Sequence, residues 1–125
     1  MKRKSPKIKL SMCHDLRTAL WVSLDLLAFV QDLKMDEKAL LRSERISQKL
    51  IASDSISTPI TIEFTSADFK VAVSALKYAV LYLDGIHKHF STPILQRVHQ
   101  DLFEYEIVIR VLCNDFLSRE RNTGH

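Results

Sequence analysis

Glycine and proline are scarce in this chain, with two and three among 125 residues. The turns of a many-stranded sheet draw heavily on both, so that architecture is excluded and a few long elements are expected. Pro6 and Pro59 bound about fifty residues with neither breaker, which points to an all-α class. Cysteine is equally sparse. Cys13 and Cys113 lie 100 positions apart, so neither a CxxC metal or redox motif nor a disulfide framework is indicated, and two reduced thiols are expected. No apolar run reaches the length of a membrane span, because Asp25 interrupts Ala19 to Val30 and Lys77 interrupts Val71 to Leu83. The basic N-terminus lacks a following h-region and small-residue cleavage site, so a cytoplasmic protein without membrane insertion is expected.

What is present is an ordinary globular composition, 46% hydrophobic and 26% charged, in a chain long enough for one domain with a real core. The net charge of +3 is unevenly spread. Lys2, Arg3, Lys4, Lys7 and Lys9 concentrate positive charge before the first apolar run, and the remainder is slightly acidic. Residues 1–9 therefore read as a disordered basic leader, 10–119 as a single helical domain and 120–125 as a frayed tail.

Leu16, Leu20, Leu24 and Leu27 recur at helical spacing and form one face of a first helix. Its other side carries Trp21, Val22 and Phe29 beside His14, Thr18, Asp25 and Asp32, and a helix apolar on two sides needs two partners. From Asp36 to Ile51 the pattern is amphipathic, with Leu40, Leu50 and Ile51 opposed to Lys34, Lys38, Arg42, Arg45 and Lys49. A turn at Met35-Asp36 with Asp36 as cap is preferred over one continuous helix. Ile60, Ile62 and Phe64 alternate like a strand, but no partner strand is evident, so residues 57–64 read as an extended connector laid across the helices. Thr65-Ser66-Ala67-Asp68 opens a third helix with Phe69, Val73, Leu76, Val80 and Leu83 as its core stripe, weakened near its end by Gly85. Ser91-Thr92-Pro93 caps a last helix on which Ile94, Val98, Leu102, Tyr105, Ile109, Leu112 and Phe116 share one face, and Ser118 to His125 is expected to fray. The expected fold is an all-α, up-and-down bundle of three or four helices.

The most specific chemistry lies in His14-Asp15-Leu16-Arg17-Thr18-Ala19-Leu20. On a helix His14 and Thr18 share a face one turn apart, while Leu16 and Leu20 point elsewhere. Asp15 can orient the imidazole, and Arg17 at i+3 can balance an anionic group attached there. A nucleophilic imidazole can accept a phosphoryl group, and a nearby hydroxyl can position water to remove it.

This heptapeptide resembles the H-box of histidine kinase dimerisation and phosphoacceptor domains, in which such a segment begins the first long helix of a hairpin that dimerises into a four-helix bundle. The resemblance covers residues 14–20 only. It implies His14 as phosphoacceptor, Asp15 as the adjacent acid/base residue, Thr18 as the residue assisting dephosphorylation, and a response-regulator-like protein as partner. Ala19 stands where that family has proline, and Gly85 and Gly124 are too few for the glycine-rich boxes of an ATP-binding domain. Autokinase activity is not expected; a phosphotransfer intermediary is the most that the resemblance implies.

Lys34, Lys38, Arg42, Arg45 and Lys49 fall within an arc of roughly 80° and can follow phosphates or dock an acidic surface, although a solvated helix face has the same pattern. Trp21, two turns beyond His14, is a potential anchor for a partner or a core residue. His87 falls near the third helix's core stripe and reads as a satisfied boundary histidine, with His89 about 200° away on the helix. Asp84 and His87 have a spacing found in carboxylate metal bundles, but no matching second pair exists, so neither a metal nor a cofactor is expected.

These residues lead to a small regulatory or adaptor protein that acts through helix-face contacts as a homodimer, the dimer resting on the two-sided first helix. Histidine phosphotransfer through His14 and nucleic-acid binding through the leader and basic stripe stand as alternatives.

Overall fold

The computed structural model describes residues 7–29, 37–52, 59–89 and 100–123. In chain order these form β1 (Ile8–Met12), α1 (His14–Phe29), α2 (Glu37–Ala52), β2 (Ile60–Phe64), α3 (Ser66–His89), the short α4 (Gln100–Glu104) and α5 (Glu106–Thr123). Helices dominate, and a two-stranded sheet accompanies them.

The segment expected to be an unpaired connector is a strand with a partner. β2 pairs antiparallel with β1, Leu10 opposite Ile62 and Met12 opposite Ile60. The partner comes from residues assigned to the leader and the first-helix approach, since Ile8 and Lys9 belong to β1 while 1–6 lie outside the described residues. Ile8-Lys9-Leu10-Ser11-Met12 alternates apolar and polar just as Ile60-Thr61-Ile62-Glu63-Phe64 does. Leu10, Met12, Ile62 and Phe64 are buried on one face, while Lys9, Ser11, Thr61 and Glu63 are exposed on the other. Lys7 also approaches the Glu63 carboxylate at 3.9 Å, an exposed pair of small energetic weight.

The central helix is α1. It packs against α2, α3 and α5 and also touches α4 and β1. Its leucine stripe is buried at Leu20, Leu24 and Leu27, with Leu16 partly so, and Val22 on the supposed second face is buried as well. Of the second apolar face Val22 thus finds its partners inside the chain, whereas Trp21 stays partly exposed. Because α1 and α2 pack against each other, they are separate helices. The Met35-Asp36 turn, Asp32 and Lys34 fall outside the described residues.

In α2 the inward positions are Ser43, Ile46 and Leu50. Leu40, expected beside Leu50, is exposed instead, because it lies about 80° around the helix from Leu50. Helix α3 starts as its sequence signals: the Asp68 amide donates to Thr65 Oγ1 at 3.1 Å, satisfying one of the orphan amides of the first turn. Its Ala72, Ala75 and Ala79 are fully buried together with Ala19 of α1, so little side-chain bulk keeps helices apart there. Phe69, Val73, Leu76 and Leu83 are buried as expected, with Val80 partly exposed.

Phe64, Phe69 and Phe116 join β2, α3 and α5. The Phe69 and Phe116 rings stack at 4.9 Å and 20°, and Phe64 meets both edge-on. Leu102, Ile109, Leu112 and Phe116 are buried on the expected face, whereas Ser91–Pro93, Ile94 and Val98 lie outside the described residues. The anticipated tail from Ser118 is helical as far as Thr123.

Candidate functional surface on the first helix

β1 ends at Met12 with its side chain in the core, and α1 begins two residues later. The Cys13 carbonyl accepts the first helical hydrogen bond, from the Arg17 amide at 3.0 Å. This junction sets His14 in the first turn. At roughly 100° per residue, His14, Thr18, Trp21, Asp25 and Ala28 follow one line along the helix. That line is the side of α1 left open: Asp25 and Ala28 are exposed, and His14, Thr18 and Trp21 are partly so.

The His14 side chain is 43% exposed, and its Nδ1 lies 3.6 Å from Asp15 Oδ1. Thr18 Oγ1 donates to the His14 carbonyl at 2.9 Å, so its proton is committed to the backbone and its oxygen retains acceptor capacity. Trp21 packs its inner edge against the core. The structure therefore brings His14, Asp15, Thr18 and Trp21 into one neighbourhood.

Arg17 does not join them. Expected to face solvent and balance an anion, it is only 4% exposed. Helical geometry explains the difference, because Arg17 lies on the side of Leu20 and Leu24, at i+3 and i+7. A charge held in that position is not available to a ligand on the open line.

The basic stripe of α2 is also partly committed. Arg42 Nη1 contacts Asp68 Oδ1 at 3.3 Å, joining a 35% exposed guanidinium side chain to a carboxylate only 2% exposed. Lys49 Nζ reaches the Glu63 carbonyl at 3.5 Å. Lys38 and Arg45 are exposed, and Lys34 lies outside the described residues. Arg42 thus ties α2 to α3, and Lys49 reaches β2.

A charged cluster not anticipated as such closes the other end of α3. His87, expected as a satisfied buried or boundary histidine, lies at the surface with Nε2 2.9 Å from Glu106 Oε1 and its ring edge-on to Phe103. Arg110 Nη2 lies 2.9 Å from Asp84 Oδ1 and 3.0 Å from Glu106 Oε2. Partial burial pushes the Glu106 carboxyl up, but hydrogen bonds and positive charge from His87 and Arg110 outweigh it and leave the group below its ordinary value. Hydrogen bonding to Asp84 is the main reason that Arg110 is raised, with burial opposing and Glu106 assisting. The Asp84/His87 spacing is local, but only packing of α3 on α5 brings Glu106 and Arg110 to it. Arg110 occupies both carboxylates, and among the described residues no group of three His, Cys, Asp or Glu side chains is placed to hold a metal ion. His89 ends α3.

Burial pushes the Cys113 thiol up, with Lys77 opposing, whereas Cys13 is exposed. Among the described residues no helix is long and apolar enough to cross a membrane. No protein-family model, curated protein or solved structure matches this chain.

Proposed function

We propose that this protein is a small regulatory adaptor that binds a protein partner through the open line of α1. The observation that carries this reading is a side of the central helix that no described residue covers, on which His14, Thr18, Trp21 and Asp25 align. Trp21 supplies an aromatic anchor already fixed by packing at its inner edge, which lowers the entropy lost on binding. Site-specific photocrosslinking tests it. A crosslinker at Asp25 is expected to capture a defined partner, and one at Gln48 on α2 is not. Equal capture from both positions would refute the assignment.

A second reading is favoured by the contact between His14 and Asp15. With Asp15 on the Nδ1 side, Nε2 is the nitrogen left to accept a phosphoryl group from an aspartyl phosphate: the N–P bond forms as the acyl P–O bond breaks and the carboxylate departs. Incubation with a phosphorylated response regulator is expected to produce acid-labile, alkali-stable label that His14→Gln removes. Label persisting in that variant would dismiss His14 as acceptor.

A further inference from the structure

Three of the most exposed large apolar residues sit on α3 and α5: Leu81 at 68%, Ile107 at 77% and Val111 at 60%. The two helices run antiparallel, with Asp84 meeting Arg110 and His87 meeting Glu106. At an equal rise per residue Leu81 consequently lies close to the level of Val111. On α3 the side turned away from the core carries Lys70, Lys77, Leu81 and Lys88 in one line, and the corresponding side of α5 carries Ile107, Val111 and Asp115, with Glu104 at the end of α4 just before it. Helical geometry sets both lines on the same side of the pair, divided by the Asp84–Arg110 bridge. One line is basic and the other acidic, each with apolar residues at its middle.

We propose that this face binds a second copy of the chain. A two-fold axis running between α3 and α5, along the pair, lays α3 of each protomer over α5 of its partner without changing level. Leu81 then meets the partner's Val111, with Ile107 one turn along. Lys88 comes opposite the partner's Glu104, and Lys77 opposite the partner's Asp115. Each contact occurs twice, as a closed isologous interface requires. Asp115 already pairs with Arg119 one turn along at 3.0 Å, an exposed contact that competes weakly. The face is separate from the open line of α1, so this dimer stands or falls independently of partner binding there.

Sedimentation velocity of the full chain, at loading concentrations from about 1 to 200 µM, is expected to show a monomer–dimer equilibrium. Leu81→Glu should abolish it. Lys88→Glu and Glu104→Lys should each weaken it by about tenfold or more, since both place like charges together twice. An equimolar mixture of those two variants should restore dimer, because every mixed pair is again opposite in sign, and restoration shows that both variants fold. A monomer at all concentrations, a mixture that fails to reassociate, or a dimer lost with Leu41→Glu but not with Leu81→Glu would overturn the proposal.

Discussion

The pair formed by α3 and α5 is held at its two ends by opposite chemistry. At one end Phe64, Phe69 and Phe116 stack in the dry core, and at the other Asp84, His87, Glu106 and Arg110 exchange charge at the surface. The contacts at the charged end are shorter, yet the aromatic end carries more of the stability. Burial removes a large apolar area from water, while water and salt already screen the exposed ions. Distance alone is therefore a poor guide to which end holds the helices together.

Removing an aromatic ring should separate the ends most sharply. Phe116→Ala is expected to destabilise the chain by about 3–5 kcal/mol in denaturant unfolding, because the hole opens between three elements that cannot all collapse. A cost below that of any charged-end variant would reverse the comparison. An intermediate case is Arg42 on Asp68, which joins one exposed partner to one buried partner. Arg42→Met should cost about 2 kcal/mol, as the Asp68 carboxylate is then left with less compensation.

At the charged end Arg110→Ala should cost only about 0.5–1 kcal/mol, and the loss should shrink further in high salt. Gly85, inside α3 with open space where a Cβ would stand, gives the opposite sign: Gly85→Ala should add about 0.5–1 kcal/mol. The smallest effect concerns pH. Since Glu106 is lowered in the folded chain, its contribution is present above the unfolded carboxylate value of about 4.3 and is lost as pH falls through the lower folded value. Glu106→Gln should flatten that acid limb, measured as unfolding midpoint against pH. An unchanged limb would assign it to other carboxylates.

Much of this architecture could be read from spacing. The leucine period of α1, the Thr65 cap of α3 and the inward face of α5 all appear where the pattern places them, because each depends on neighbours three or four residues away. The β1–β2 pair was missed for a different reason. Ile8, Leu10 and Met12 alternate as clearly as Ile60, Ile62 and Phe64, but the lysines between and before them resemble a solvated leader until a partner about fifty residues away is known. His87 is satisfied at the boundary, but its partner Glu106, 19 residues on, could not be read from spacing.

By itself the sequence determined the helical class, most of the helix faces, and the alignment of His14, Thr18 and Trp21 along one side of α1. These follow from the helical repeat, which is a local property. Tertiary structure alone decided that Arg17 is enclosed, that Val22 is buried while Trp21 stays partly exposed, and that Leu81 lies close to the level of Val111. Those outcomes depend on which helix covers which, and that choice is made by burying the whole apolar surface at once rather than by any single segment.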